Sequence, residues 1–271
     1  MSDYLLVIIF SLIGGLFSLI GGIILIHLKY DPNTLSRYAT PFAAGALLAA
    51  VFTDLLPEGL ETNSAKKIFT AVLAGILIFF IAERFLRWFH HHHEGDEESK
   101  DSSISRIVIG DTLHNALDGV AIASAFLINI PTGIVTTLAV AAHEIPHEIA
   151  DFGVLVAKGM ARKKVLLVNA ISSLATTAAA ILTFALGSTD KLPLGILLGL
   201  SAGFLLYIAL SDLVPTVHAR TDDAKLIQVQ TILLILGVVV VGLAVELAHG
   251  YIEPGRTGVH SDTSHSHVAS H

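Results

Sequence analysis

Residues 104–128 read ISRIVIGDTLHNALDGVAIASAFLI, and residues 132–157 read TGIVTTLAVAAHEIPHEIADFGVLVA; only Asn129-Ile130-Pro131 separates them. Each stretch is long enough to cross a bilayer as a helix, which takes about 20 largely apolar residues. Each also carries charge that such a helix should not hold: Asp111 and Asp118 in the first, Glu144, Glu148 and Asp151 in the second. An ionised carboxylate at bilayer depth costs about 2.5–3.5 kcal/mol on insertion scales. Together these groups cost roughly 12–18 kcal/mol if the penalties add. Something has to compensate, and the residue types around them point to a cation.

Spacing sharpens the reading. Asp111, His114, Asn115 and Asp118 stand at i, i+3, i+4 and i+7, one stripe on one helix face. His143, His147 and Asp151 form a second stripe at i, i+4 and i+8, with Glu144 and Glu148 alongside. The connecting turn is so short that the two helices are antiparallel neighbours. At 1.5 Å rise per residue, both polar groups lie ~18–25 Å from the turn, at similar depth near mid-membrane. Three imidazoles, an amide and several carboxylates suit Zn²⁺, and also Fe²⁺, Mn²⁺ or Cd²⁺. The chain has no cysteine, so thiolate ligands and disulfides are excluded. Pro146 removes the N–H that the Ala142 carbonyl needs, so a kink is expected within the second stripe. A hydrogen-bonded polar core is the plainer alternative, but so many ionisable groups on two facing stripes speak against it.

Outward from this pair, the chain is 53% hydrophobic and only 14% charged, where soluble domains are nearer 25% charged. Eight apolar runs appear, at about 4–28, 39–56, 68–89, 104–128, 132–157, 165–187, 192–214 and 226–248. Turn and polar residues break them, among them Asp31-Pro32-Asn33, Glu58-Gly59 and the segment after Thr216. The expected fold is an all-α integral membrane protein of eight transmembrane helices, residues 1–250. Its first run lacks a basic leader and a small-residue cleavage site and reads as a retained span. Residues 251–271 are expected to be a flexible, histidine-containing tail. The odd-numbered loops and their flanks hold 12 of the 16 Lys and Arg residues, which predicts that those loops are cytoplasmic and both termini outside. The net charge of −7 and the lack of a basic stripe give no reason to expect a nucleic-acid partner.

Two spans share a pattern. Ala44-Gly45 followed by Thr53-Asp54-Leu55-Leu56-Pro57 recurs as Ala202-Gly203 followed by Ser211-Asp212-Leu213-Val214-Pro215, each match 158 residues on. The two spans cross in opposite directions, so the expectation is an inverted repeat, spans 1–3 against 6–8, around the central pair 4 and 5. Inverted repeats are a carrier signature. Asp54 and Asp212 would line a vestibule or serve as caps. Gly14, Ser18 and Gly22 present a small-residue face that fits either packing within the chain or a homodimer.

The pattern His114-Asn115-x-x-Asp118-Gly119, then His143-Glu144-x-Pro146-His147-Glu148, resembles the ZIP family of divalent-metal transporters, the zinc- and iron-regulated-transporter-like proteins. Within it, the subgroup whose fifth span reads HExPHE is the nearest. The resemblance implies a binuclear centre between spans 4 and 5. His114, Asp118, His143 and His147 would hold the primary ion. Asn115, Asp118 and Glu144 would hold the second, with Asp118 shared and Glu148 contributing. Some members add a glutamate from span 6; here that span offers Asn169, Ser172, Ser173 and Thr176 but no carboxylate. Asn169 and Ser173, with Asp111 and Asp151, are expected along the pathway or behind the ligands. The family imports metal into the cytosol, so alternating access in the cell (cytoplasmic) membrane is implied, with zinc foremost as substrate and no enzymatic activity. The loop at 90–103, with His90, His91, His92 and His93 before an acidic run, resembles the family's cytoplasmic metal-binding loop.

One enzyme reading competes. His143-Glu144-Ile145-Pro146-His147 is formally H-E-x-x-H. A site-2-type intramembrane zinc protease would use His143, His147 and Asp118 as ligands and Glu144 as base. The order of motifs, the proline inside the motif and the surplus of ligands all count against it.

Overall fold

The computed structural model describes residues 3–17, 19–28, 32–91, 100–187, 193–218 and 224–252. Among them the chain is almost entirely helical and forms eight rods. The first is α1 (Asp3–Phe17) with α2 (Leu19–Leu28). The second is α3 (Pro32–Ala50), a π-helical turn (Val51–Leu55) and α4 (Leu56–Thr62). Then come α5 (Ala65–His91), α6 (Lys100–Ile128), α7 (Ile130–Ala157) and α8 (Arg162–Gly187). The seventh is α9 (Leu194–Tyr207), a second π-helical turn (Ile208–Leu213) and α10 (Val214–His218), and the last is α11 (Ala224–Ile252). Six rods are long and apolar enough to cross a membrane by length and composition. The other two, α6 and α7, run 29 and 28 residues, and their polar stripes lower their apolarity.

The punctuation at Glu58-Gly59 does not end a helix as expected, since the second rod continues to Thr62; the seventh ends at His218, inside the polar segment that begins at Thr216. The reason lies in the turns just before. The Leu56 N–H bonds to the Val51 carbonyl, and the Val214 N–H to the Ala209 carbonyl, each five residues back. A proline follows each donor, Pro57 and Pro215. The missing proline N–H therefore falls where the ladder has already shifted, and the helix passes without a break. Pro146 also lies inside a helix, α7, with no π-helical turn beside it.

Glycine sets the closest crossings. A Cβ on Gly45 would run into the Leu234 carbonyl of α11, and one on Gly237 into the Phe42 carbonyl of α3. The same reciprocity joins Gly75 of α5 with Gly203 of α9. The α3 face between is largely alanine (Ala43, Ala44, Ala46, Ala49, Ala50) around Leu47, all buried. Small residues let backbones approach where lipid gives no hydrophobic drive to pack. Gly14 lies against Ile122 and Thr137, and Gly22 against Leu166 and Phe152. That face is thus used within the chain, and it offers no argument for a homodimer; Ser18 lies outside the described residues. Outward-facing Leu73, Leu77 and Ile81 of α5 and Ile232, Leu236, Leu243 and Leu247 of α11 are exposed, as lipid-facing positions are.

Candidate metal centre

Asn129 fixes the α6–α7 pair. Its side chain accepts the Thr132 N–H at 2.8 Å as the N-cap of α7 and donates to Glu58 Oε2 at 2.9 Å. Pro131 sits in the first turn, where a missing N–H costs nothing. The helices run antiparallel from this turn and bring the two stripes face to face.

Four side chains converge. His114 Nε2 lies 3.2 Å from His143 Nε2 and 3.4 Å from Glu144 Oε1. His143 Nε2 lies 3.3 Å from Asp118 Oδ2 and 3.6 Å from Glu144 Oε1. His114 Nε2 to Asp118 Oδ2 is 3.9 Å. A tetrahedral ion with bonds of about 2.0–2.2 Å holds its ligand atoms about 3.3–3.6 Å apart; four of these five distances match that range to about 0.1 Å, and His114–Asp118 is longer at 3.9 Å. All four residues are buried. Asp118 Oδ2 and both Glu144 oxygens have no hydrogen-bond donor. Burying such oxygens unpartnered is costly, and a bound cation removes that cost.

The ring of His143 is oriented from behind. Its Nδ1 faces the Ala139 carbonyl at 3.2 Å, which can only accept, so Nδ1 carries the proton and the Nε2 lone pair points into the cluster. On the α6 side, Gly119 lets that helix press onto α8, since a Cβ there would meet the Thr176 carbonyl.

Not every expected ligand is in this set. His147 stacks on His114, with centroids 4.7 Å apart and planes 12° apart, and its Nδ1 is 4.0 Å from Asp151 Oδ2. It gathers with Asp111 and Asp151 instead, and Glu144 takes the fourth place beside His114, Asp118 and His143. Asn115 is held within the protein: its Nδ2 donates to the Asp111 carbonyl and Oδ1, each at 3.0 Å, and its Oδ1 accepts from Thr176 Oγ1 at 3.0 Å. Glu148 is buried, accepts a hydrogen bond from Asn169 and keeps Oε1 unpartnered. Ser173 turns its hydroxyl back to the Ala170 carbonyl. His90 and His91 close α5 with undescribed side chains, and His92 and His93 lie outside the described residues, as do His260, His265, His267 and His271 of the tail.

A cavity of about 570 Å³ reaches the stripes, lined by Phe79, Asp111, His114, His147, Asp151 and Asp212 among others. A smaller one of about 190 Å³ touches Ser36, His147, Asp151, Asp212 and Thr216. Both lie towards the end where α3 and α6 begin and α7 finishes. Towards the other end, Val51, Leu55, Val135 and Ala139 pack in one buried core. Beyond them Asp54, itself buried, receives Thr132 Oγ1 at 3.3 Å and lies 2.8 Å from His249 Nε2. Sequence reasoning missed this contact. The apolar run ending at residue 248 places His249 at a helix end, but hydropathy does not name its partner.

The sequence model of the family described as ZIP zinc transporter matches residues 4–107 and 105–244. Among curated proteins, the chain is 31% identical over 223 residues to zinc transporter ZIP13 of Pongo abelii, covering 74% of this chain and 64% of that protein. It is 38% identical over 135 residues to zinc transporter ZIP10 of Danio rerio, and 38% identical over 116 residues to zinc transporter ZIP4 of Homo sapiens. Those matches cover 48% and 43% of this chain but only 16% and 18% of the relatives' lengths. The family match runs through both polar stripes and most of the rods around them, and the chain belongs to the ZIP zinc transporter family.

Proposed function

We propose that this chain carries divalent transition-metal ions across a membrane into the cytosol, zinc foremost, with the ion held between α6 and α7. The observation that carries the reading is the buried convergence of His114, Asp118, His143 and Glu144 at ligand-to-ligand spacing. Zinc is the substrate named for the relatives. Fe²⁺, Mn²⁺ and Cd²⁺ suit the same nitrogen–oxygen donors and enter as competitors.

Glu144 supports a second ion beside the first. It belongs to the histidine set on one side and stands with Asp111 and Glu148 on the other. Asn115, expected in the second site, already has its amide engaged by Asp111 and Thr176, so Glu148 is the better partner for Glu144.

Alternating access is supported by unequal surroundings at matching positions. Asp54 and Asp212 stand 158 residues apart, each inside a π-helical turn that a proline follows. Asp54 is buried beyond the apolar core; Asp212 is exposed and lines both cavities. An inverted repeat caught open on one side has this asymmetry. The open end is the one flanked by the Lys- and Arg-rich loops, the cytoplasmic side by the charge rule.

The protease alternative is set aside. It needs His143 and His147 on one ion, yet His147 groups with Asp111 and Asp151, and the family is one of transporters. Uptake of Zn²⁺ or Cd²⁺ into liposomes tests the proposal: wild type admits metal, and Asp118→Ala and His143→Ala do not. Undiminished uptake in both variants would overturn it.

A further inference from the structure

Three sets of metal-binding side chains in α6 and α7 are joined end to end. His114, Asp118, His143 and Glu144 form the first, Asp111, Glu144 and Glu148 the second, and Asp111, His147 and Asp151 the third. Within each set, one donor atom per residue lies within 4.8 Å of the others. Glu144 belongs to the first two and Asp111 to the last two. Burial falls along the series. The first and second sets are wholly buried; in the third, Asp111 is buried while His147 and Asp151 are half-buried. All three members of the third set line the larger cavity, and His147 and Asp151 line the smaller as well.

The middle set calls for positive charge. Its three carboxylates are buried together, and both oxygens of Glu144 and Oε1 of Glu148 have no donor. Asn169 supplies a dipole to the other Glu148 oxygen but no charge. An ion drawn from the histidine set by Glu144 meets these oxygens next. It then meets Asp111, which is shared with the set at the cavity wall. There His147, stacked face to face on His114, offers an imidazole in place of the one left behind.

We propose that Asp111, His147 and Asp151 form an inner divalent-cation site, the station a transported ion occupies between the histidine cluster and the open cavity. The proposal rests on the transport reading above. One imidazole and two carboxylates at a cavity wall leave coordination positions for water. The ion is therefore partly rehydrated before release, and it is held less tightly than at the buried four-ligand set.

The test uses the full chain in detergent and in liposomes, with Cd²⁺ as probe. Bound Cd²⁺ is counted by equilibrium dialysis, and ¹¹³Cd NMR separates a two-nitrogen site from a one-nitrogen, oxygen-rich one. Asp111→Asn combined with Asp151→Asn keeps an acceptor for Asn115 Nδ2. This double variant is expected to lose the oxygen-rich signal and one Cd²⁺ per chain, to retain the two-nitrogen signal, and to slow uptake about tenfold or more. If the double variant does not insert, Asp151→Asn alone carries the same expectation in weaker form. An unchanged count and spectrum in whichever variant inserts overturns the inner site, even where Asp118→Asn abolishes uptake. If Asp118→Asn also leaves uptake and the two-nitrogen signal intact, the transport reading is what has failed.

Discussion

His249 Nε2 lies 2.8 Å from Asp54 Oδ1, joining residues 195 positions apart. The contact ties the end of α11 to the π-helical turn of the second rod. Asp54 also takes the Thr132 hydroxyl, and Asn129 holds Glu58, so α7's first turn is bound into the same patch. This end of the molecule is therefore fastened by polar contacts outside its buried apolar core.

Breaking that fastening should loosen this end. The protein has no cysteine, so Leu55→Cys, at a buried core position, gives a clean reporter. A hydrogen bond involving a charged group contributes about 1.5–3 kcal/mol. His249→Ala is therefore expected to speed maleimide labelling of that cysteine by about ten- to a hundredfold. Equal labelling rates with and without His249 would rule the fastening out.

Metal should stabilise the fold through the four-ligand set. An ion at a hundredfold excess over its dissociation constant adds about 2.7 kcal/mol to folded-state stability. Thermal unfolding in detergent should shift upward on adding Zn²⁺ to wild type. The shift should shrink sharply in Asp118→Ala, which removes a carboxylate 3.3 Å from His143 Nε2. A shift of the same size in both proteins would argue that zinc binds elsewhere.

Acid should inhibit. Metal and protons compete for the ring nitrogens of His114 and His143, because only the unprotonated nitrogen ligates. Protonation favours the metal-free form, so Zn²⁺ uptake is expected to fall as the medium is acidified. Raising Zn²⁺ should restore it. Inhibition that no amount of zinc relieves would mean that the proton acts away from the ligands.

Gly119 should not tolerate a side chain. A Cβ there meets the Thr176 carbonyl, which is backbone and cannot swing aside. Gly119→Ala is expected to destabilise the protein by about 1–3 kcal/mol and to displace Asp118 next to it. Melting curves together with Cd²⁺ affinity check this. A variant unchanged in both would show that α6 and α8 can part without consequence.

Much of this was legible in the sequence because bilayer physics makes charge conspicuous. Five carboxylates in two apolar runs, with histidines at helical spacing, located α6, α7 and their facing stripes. Rotamers were not legible. Periodicity put Glu144 alongside the stripe that holds His147 but could not say that His147 would turn to Asp151 while Glu144 turned to His114. Nor could it show Asn115 engaged by Thr176, since a contact between α6 and α8 depends on how closely Gly119 lets them approach. The rod beyond Glu58 is longer than its apolar run because Glu-Gly reads as a break; the π-helical turns that absorb Pro57 and Pro215 leave no mark in hydropathy.

Those two turns carry one more residue than an α-helix needs. A surplus residue is slack in the backbone. Passing it along the rod re-indexes the side chains beyond it by about 100°, the angular step of one residue. Asp54 and Asp212 each sit within that slack. Either carboxylate can therefore be re-aimed by a local change of winding that leaves the glycine crossings at Gly45 and Gly203 clamped, which separates the adjustable portion of each rod from the portion that anchors it.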